Sequence, residues 1–227
     1  MRKEVSNIKY NKKIGIELKQ LSKKFGEQYI LEEVNYQFEY GKIYGIIGEN
    51  GCGKSVIFKL ISGLLFPSSG KIYVDRKELR KGDFPKNMGV LIESPGFLPQ
   101  YTGMDNLKLL ASVRNICTKK ELEESMKFVG LDPNNKTKVK HYSLGMLQRL
   151  GIAQAIMEKQ EIILLDEPFN SMDEKGVEEI RKKLKEVLKD RGALVIITSH
   201  NKKDIEFLCD EVIVLQNRTL EKISKLG

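Results

Sequence analysis

The segment Gly48-Glu49-Asn50-Gly51-Cys52-Gly53-Lys54-Ser55 constrains this chain more than any other part of the sequence. It follows an apolar run at residues 43–47 and precedes a helix-like run at residues 56–61. A glycine, four residues and then Gly-Lys-Ser is the spacing of a phosphate-binding loop between a strand and a helix. Glycines let successive backbone N–H groups turn toward an anion, and the N-terminus of the next helix adds positive potential.

The residues of this loop have different expected roles at a nucleoside triphosphate. Lys54 is expected to reach the β- and γ-phosphates, and the Ser55 hydroxyl is expected to bind Mg²⁺. A glycine-rich turn that binds nothing is the alternative reading of the same pattern. The nucleotide-binding positions predicted in this segment are Gly48, Asn50, Gly51, Cys52, Gly53, Lys54, Ser55 and Val56.

Composition limits the class of protein. The chain has 227 residues, of which 41% are hydrophobic, so an ordered core is expected. There is no run of about 18 apolar residues to span a membrane, and residues 1–4 are basic without the apolar stretch of a signal peptide. Cys52, Cys117 and Cys209 show no disulfide or metal spacing, which indicates a reduced cytosolic compartment.

The formal net charge of +8 has three readings. It describes a soluble lysine-rich surface, attraction to an anionic membrane leaflet, or attraction to nucleic acid. Since no pattern of aromatic residues among basic ones supports the last reading, no nucleic-acid partner is expected.

The order of short apolar runs predicts an α/β fold. Alternation in residues 14–40 indicates an N-terminal antiparallel β part. Beyond it, strands alternate with helices, which predicts a mainly parallel sheet covered on both faces. Residues 98–157 interrupt that alternation as an inserted helical lobe, in which Thr102 and a capping box at Thr118 and Glu121 begin helices. We expect one domain over residues 1–227 with a phosphate-loop core.

Two acidic residues follow the apolar run at residues 162–165. Asp166 is expected at the carboxyl edge of the sheet, where ligands bind in open α/β folds, and there it can hold Mg²⁺. Glu167 comes next and can accept a proton from an attacking water. The alternative is a surface turn that happens to carry two acids.

His200 follows the apolar run at residues 193–197 and is expected at the same sheet edge. A neutral imidazole there can hydrogen-bond a γ-phosphate, whereas a single histidine is more often structural.

Together these motifs resemble the ATP-binding subunit of an ABC transporter along nearly the full chain. Residues 48–55 match the family's phosphate loop, and residues 142–149 match its signature segment, usually Leu-Ser-Gly-Gly-Gln. Phe25 resembles the aromatic residue that stacks on adenine, although an ordinary core phenylalanine is equally consistent with the sequence. His200 matches the family's switch histidine, and residues 170–173 resemble the segment that contacts a partner subunit.

Three positions depart from the family pattern. Glu93 stands where the family usually has a glutamine that contacts Mg²⁺ and the permease, so it adds negative charge there. Leu144 replaces the first signature glycine, and Met146 replaces the glutamine. The backbone N–H groups of the signature can still serve if φ at Leu144 is negative. The altered signature and the segment at residues 93–96 resemble those of ATPases that are paired with bacterial permeases for peptide-antibiotic efflux or immunity.

The resemblance implies a mechanism and partners. Two ATPase subunits, identical or different, would face each other head to tail. ATP would lie between one phosphate loop and the Ser143 and Gly145 backbone of the other subunit. Glu167 would orient or deprotonate the water, and Lys54 and Mg²⁺ would stabilise the transferring phosphoryl group. His200 would hold the γ-phosphate and the water in line. A separate permease would place the subunit at the cytoplasmic face of the membrane. Mg²⁺ would be held by Ser55, Glu93 and Asp166.

Two other functions stay open on the sequence. A soluble ABC-type ATPase acting on ribosomes or DNA usually has two cassettes or a coiled-coil arm, whereas this chain has one phosphate loop and no sustained heptads. A phosphate-loop kinase for a small molecule would leave residues 143–149 and His200 without a role.

Overall fold

The computed structural model describes residues 14–93 and 95–223. Residues 1–4, on which the expectation of no signal peptide rests, and Ser94 lie outside these ranges. The described residues form two sheets with helices around them, as the sequence predicts.

The N-terminal sheet is antiparallel. It contains β1 (Ile14–Phe25), β2 (Gln28–Glu39), β4 (Ser69–Val74) and β5 (Lys77–Glu78), in the order β2-β1-β4-β5. Alternate side chains such as Ile16, Leu18 and Val34 are fully buried beneath it, which follows from the two-residue repeat of a strand. The predicted strand at residues 71–75 thus belongs to this sheet, where β4 pairs with β1.

The second sheet has six strands: β3 (Ile43–Ile47), β6 (Met88–Leu91), β7 (Ile162–Asp166), β8 (Leu194–Thr198), β9 (Glu211–Gln216) and β10 (Thr219–Ile223). Their order is β10-β9-β3-β8-β7-β6. The pairings from β9 to β6 are parallel, and β10 is antiparallel to β9. The predicted parallel sheet is therefore confirmed, with an antiparallel edge strand that the sequence patterns did not indicate.

Within the described ranges, six α-helices surround the sheets: α1 (Lys54–Ile61), α2 (Gly103–Arg114), α3 (Lys119–Phe128), α4 (Leu144–Ile156), α5 (Glu174–Arg191) and α6 (Lys202–Leu208). Helices α2, α3 and α4 follow one another between β6 and β7, where the helical lobe is predicted. Thr102 caps α2, and the capping box of Thr118 and Glu121 begins α3. Helix α6 was not predicted, because its seven residues are too few for a clear periodic pattern.

Glu121 is also held by an ion pair with Lys159, whose ammonium lies 2.6 Å from its carboxylate. Lys159 and the Thr118 cap lower the pKa of Glu121 to about 2. The carboxylate is therefore ionised over the physiological pH range and keeps α3 capped.

The six-stranded sheet separates two apolar cores. In β7, Ile162 and Leu164 face the core made with α1 and the antiparallel sheet, whereas Ile163 and Leu165 face the core made with α4 and α5. Both faces of the strand are buried, which accounts for its uninterrupted apolar sequence. The strand ends are consequently held in fixed positions relative to one another.

Every helix in the described ranges is too short or too polar to cross a lipid bilayer.

Candidate active site

The carboxyl ends of four neighbouring parallel strands, β3, β8, β7 and β6, lie at one edge of the sheet. Asp166 at the end of β7 is directly beside Thr198 at the end of β8. Residues 48–53 follow β3, and Glu93 lies two residues beyond β6. Parallel strand order thus brings together segments that are up to 150 residues apart in the sequence.

The loop between β3 and α1 has the backbone that its glycines permit. Gly51 and Gly53 have φ values of 81° and 115°, and Gly53 is the N-cap of α1. A Cβ on Gly53 would lie 2.7 Å from the Ile30 side chain, so both conformation and space require glycine here. The Lys54 ammonium donates to the carbonyls of Gly48 and Glu49 at 2.8 and 2.9 Å. The lysine therefore lies across its own loop.

Asp166 is held on both sides by hydroxyl groups. Ser55 Oγ donates to Asp166 Oδ2 at 2.6 Å, and Thr198 Oγ1 donates to Asp166 Oδ1 at 2.6 Å. Asp166 is only 7% exposed, and these hydrogen bonds offset the cost of burying its charge. The network places the Ser55 hydroxyl and the Asp166 carboxylate next to each other, as a shared metal site requires.

Glu167 has a fixed position beside this network. Its φ of 47° is left-handed, a conformation that costs a non-glycine residue about 1–3 kcal/mol. Thr198 Oγ1 accepts its backbone N–H at 2.9 Å, and Gln148 Nε2 donates to its carbonyl at 2.9 Å. His200 Nδ1 lies 2.9 Å from Glu167 Oε2. The strained backbone and its three partners together aim the carboxylate.

The hydrogen bond between His200 and Glu167 determines the tautomer of the histidine. An ionised carboxylate only accepts hydrogen bonds, so Nδ1 carries the proton. In a neutral ring Nε2 is then an acceptor, which suits a water molecule. A hydrogen bond donated from His200 to a phosphate requires either the imidazolium or the release of Glu167.

A second chain of polar contacts fixes the segment that carries His200. Ser199 Oγ donates to the buried carboxylate of Asp204 at 2.6 Å. Asp204 in turn forms an ion pair with Arg181, whose side chain is also buried. Helices α5 and α6 therefore hold the end of β8 in place.

A cleft of about 600 Å³ lies over the network. Most of the predicted site residues line it: Asn50, Gly51, Gly53, Lys54, Ser55, Val56, Glu93, Asp166 and Glu167. Gly48 and Cys52 belong to the loop rather than to the cleft wall. The Cys52 backbone N–H donates to the Glu49 carbonyl at 3.3 Å, and its Sγ packs so closely that a Cβ on Gly48 would lie 2.8 Å away.

Glu93 lines the cleft, but its carboxylate forms an ion pair with Lys59 of α1. The extra negative charge that the sequence places near Asp166 is thus balanced by a cation. A Mg²⁺ contact from Glu93 stays a prediction.

The signature segment forms the start of α4. Ser143 is the N-cap, and its Oγ accepts the Met146 backbone N–H at 3.2 Å. Leu144 is the first helical residue and is absent from the residues with positive φ, so its backbone N–H has the geometry the signature needs. A Cβ on Gly145 would lie 2.7 Å from the Ser171 carbonyl oxygen, which explains the glycine. Leu144 lines the cleft formed by its own chain, whereas Ser143 and Gly145 do not.

Phe25 lies at the end of β1 and is half-exposed. The Lys23 ammonium is 5.1 Å from the centroid of its ring. Its exposure excludes an ordinary core role, but Phe25 does not line the cleft. Stacking on adenine stays a prediction.

The residues present suit a magnesium ion that also binds a phosphate. In the described part of the chain, no three His, Cys, Asp or Glu side chains are grouped to hold a metal by themselves. Mg²⁺ needs only one or two protein oxygens when phosphate oxygens and waters complete its octahedron. The Ser55 hydroxyl and the Asp166 carboxylate, adjacent to the loop, fit that requirement.

Two residues of the network were not assigned a role from the sequence. Thr198 bridges Asp166 and the Glu167 backbone and is fully buried, and Gln148 anchors the Glu167 carbonyl from α4. Thr198 ends an apolar strand, and its role follows from its pairing with Asp166 on the neighbouring strand. That pairing depends on the order of the strands in the sheet, which apolar runs in the sequence do not reveal.

Comparison with known proteins agrees with this geometry. The family model described as ABC transporter matches residues 31–170. The chain is 44% identical to YybJ of Bacillus subtilis, named an uncharacterized ABC transporter ATP-binding protein, over 93% of this chain and 97% of that one. It is 37% identical to the bacitracin transport ATP-binding protein BcrA of Enterococcus faecalis, over 88% of this chain and 66% of BcrA.

Solved structures show the same fold. A dimeric ATP-binding cassette in a post-hydrolysis state, bound to ADP and Pi, superimposes with a TM-score of 0.83 at 25% identity, covering 93% of this chain and 99% of that one. The chain belongs to the ABC transporter family. Within it, the protein is an ATP-binding subunit and an ATPase.

Thr198 provides a test of the network. Thr198→Val keeps the volume but leaves Asp166 Oδ1 and the Glu167 N–H without their partner, so we expect a loss of about 1–3 kcal/mol in the free energy of unfolding. The same change should reduce ATPase activity by about tenfold or more, because both acids lose orientation. Chemical denaturation and phosphate release measure the two effects.

Thr198→Ser is the matched control, since it retains the hydroxyl and should preserve most of the activity. If the valine and serine variants hydrolyse ATP at equal rates, the Thr198 hydroxyl does not position the acids.

Proposed function

We propose that this subunit hydrolyses MgATP at a site shared between two subunits and thereby drives a separate membrane permease. The observation that carries the proposal is the 2.6 Å contact between Ser55 and Asp166, with the pair of Glu167 and His200 immediately beside it. A phosphate-binding loop, a metal site and a base then meet at one sheet edge, as nucleotide hydrolysis requires.

Substrate binding begins at the loop. The backbone N–H groups of residues 48–55 and the N-terminus of α1 attract the triphosphate, and Lys54 exchanges its loop carbonyls for the β- and γ-phosphates. Ser55 and Asp166, with Glu93 nearby, would hold Mg²⁺. Bound there, Mg²⁺ supplies positive charge to the phosphate oxygens.

In the hydrolytic step Glu167 is the general base. A water oxygen forms a bond to the γ-phosphorus while the bond to the bridging oxygen of ADP breaks, and the water proton passes to Glu167. His200 holds the Glu167 carboxylate through Nδ1–H, and its Nε2 is free to accept a hydrogen bond from the same water. Lys54 stabilises the charge on the transferring group.

The shared site is supported by the position of the signature segment. Of the first residues of the signature segment, Leu144 lines the edge of the cleft of its own chain, whereas Ser143 and Gly145 do not. Ser143 and Leu144 are exposed, so the N-terminus of α4 presents donors suited to a γ-phosphate. The superimposed cassette bound to ADP and Pi is a dimer. A partner subunit placed head to tail would bring this helix to the open side of the cleft, so that ATP joins the subunits and its hydrolysis separates them.

The permease, the substrate and the location follow from the family. We infer that a membrane subunit receives the opening and closing through residues 93–100 and the helical lobe, and that it holds this chain at the cytoplasmic face of the membrane. The similarity to BcrA, a bacitracin transport protein, favours a peptide antibiotic as the transported substrate.

Replacing Glu167, the proposed general base, distinguishes ATP binding from ATP hydrolysis. Glu167→Gln keeps the shape of the side chain but cannot accept the proton, so we expect ATP binding to persist and turnover to fall by about 100-fold or more. Because ATP is no longer consumed, the variant should form an ATP-dependent dimer in light-scattering measurements. Glu179→Gln, which changes an exposed acid on α5, is the control and should behave like the wild type. Phosphate release by Glu167→Gln at the wild-type rate would remove Glu167 from the mechanism.

Mixed dimers test the shared site. Lys54→Ala and Ser143→Ala subunits should each be nearly inactive alone, because every site then carries one defect. A mixed dimer has both defects in one site and neither in the other. After equal mixing, half of the dimers are mixed, so about a quarter of the wild-type activity should return.

Activity in the mixture that stays at the mean of the two parents would contradict a site built from two subunits. A wild-type sample that hydrolyses ATP at full rate when diluted to the monomer would contradict it as well.

A further inference from the structure

A part of the surface outside the cleft combines apolar and basic side chains. Leu64, just beyond α1, is 54% exposed, and Phe84 in the loop after β5 is 63% exposed. The two segments touch, since a Cβ on Gly63 would lie 2.4 Å from the Asp83 carbonyl oxygen and 3.6 Å from the Phe84 ring. We call Leu64, Phe84, Arg80, Lys81 and Lys86 the loop surface.

The basic side chains of the loop surface do not stabilise the fold through ion pairs with described residues. Arg80, Lys81 and Lys86 are all exposed, and no carboxylate in the described ranges forms an ion pair with any of them. The one acid among residues 80–86 is Asp83, whose carboxylate accepts the Arg80 backbone N–H at 3.0 Å. Three positive charges thus lie within four residues of Phe84 in the sequence, with a single carboxylate among them.

The loop is held at both ends, so it presents these side chains in a fixed arrangement. The Leu79 N–H donates to the Ile72 carbonyl at 2.8 Å. The Asp83 N–H donates to the Arg80 carbonyl at 2.9 Å and so forms a turn. At the other end, the Asn87 carbonyl accepts the Ile162 N–H of the central sheet at 3.2 Å. Two exposed apolar side chains are thus presented together with three exposed basic ones, and this combination indicates a partner.

We propose that the loop surface binds the anionic headgroups of a phospholipid membrane, with Phe84 and Leu64 entering the interface. Two apolar side chains are too few for the core of a protein–protein interface, and lysine is depleted in such cores. A lipid surface needs no shape complementarity, and each lysine or arginine near it strengthens binding by about fivefold. Apolar side chains beside basic ones are the usual composition of segments that lie in a membrane interface.

The inference goes beyond the proposed function, since it requires neither nucleotide nor permease. It adds a direct lipid contact to the attachment through a membrane subunit. The contact would orient the subunit at the membrane before and while it engages a permease.

Vesicle co-sedimentation of the intact chain tests the proposal. We expect binding to phosphatidylcholine vesicles that contain phosphatidylglycerol, and at least about 20-fold weaker binding to phosphatidylcholine alone. The triple variant Arg80→Gln/Lys81→Gln/Lys86→Gln should lose at least about 20-fold in partition coefficient. Phe84→Ser should lose several-fold, because its apolar burial disappears.

Matched controls separate this surface from the general positive charge. Lys136→Gln/Lys138→Gln/Lys140→Gln makes the same change in net charge at exposed positions of the helical lobe, and Val113→Ser removes an apolar side chain that is 82% exposed on α2. Both controls should bind vesicles within about twofold of the wild type. Thermal unfolding and ATPase activity, which should be unchanged in all four variants, exclude misfolding.

Three results would overturn the proposal: no binding to anionic vesicles, an equal loss in the lobe control, or a loss for the loop triple seen only on membranes that contain the permease. The last would assign the surface to an acidic protein segment. A failure of the proposed ATPase mechanism would instead appear in the phosphate-release measurements and leave vesicle binding intact.

Discussion

The buried carboxylate of Asp166 is the group around which the rest of the site is organised. It ends β7, accepts hydrogen bonds from Ser55 of α1 and Thr198 of β8, and is nearly inaccessible to solvent. Because an unpaired buried charge is costly, these partners have to stay in place whenever the protein is folded. One carboxylate therefore fixes the phosphate loop, the strand that leads to Glu167 and the strand that leads to His200. Packing on both faces of the sheet keeps those strand ends in register.

A large part of this arrangement could be predicted from the sequence. The loop spacing, the apolar runs and the acids after residue 165 are local patterns, and the structure places those segments at one sheet edge. Thr198 and the pair of Lys59 and Glu93 could not be predicted, because each depends on which elements become neighbours. The contact of the exposed His200 with Glu167 likewise depends on the left-handed backbone at Glu167. Helix α6 and β10 were missed because short elements carry weak periodic patterns.

The strained backbone at Glu167 shows that the hydrolytic residues are already positioned, and the α4 N-terminus is still exposed to solvent. The site's own chain supplies the loop, the metal ligands and the base, while Ser143 and Gly145 at the start of α4 are not among the residues that line the cleft. Completion by a second subunit would make nucleotide binding and subunit association the same event, which is how hydrolysis can produce mechanical work. The unpaired cations at residues 80–86 concern the membrane instead. By binding anionic lipid, as proposed, they would orient the subunit relative to the bilayer, which the nucleotide site does not do.

Titration calorimetry of the intact chain with MgATP tests the central claim most directly. If residues 48–55 hold the nucleotide, and Ser55 and Asp166 hold its metal, the isotherm should be saturable with one nucleotide bound per chain. Chelation of Mg²⁺ should weaken that binding by at least about tenfold, because the phosphate charge then faces Asp166 without its counter-ion. A sample that unfolds cooperatively yet takes up no MgATP at millimolar concentration would contradict the account.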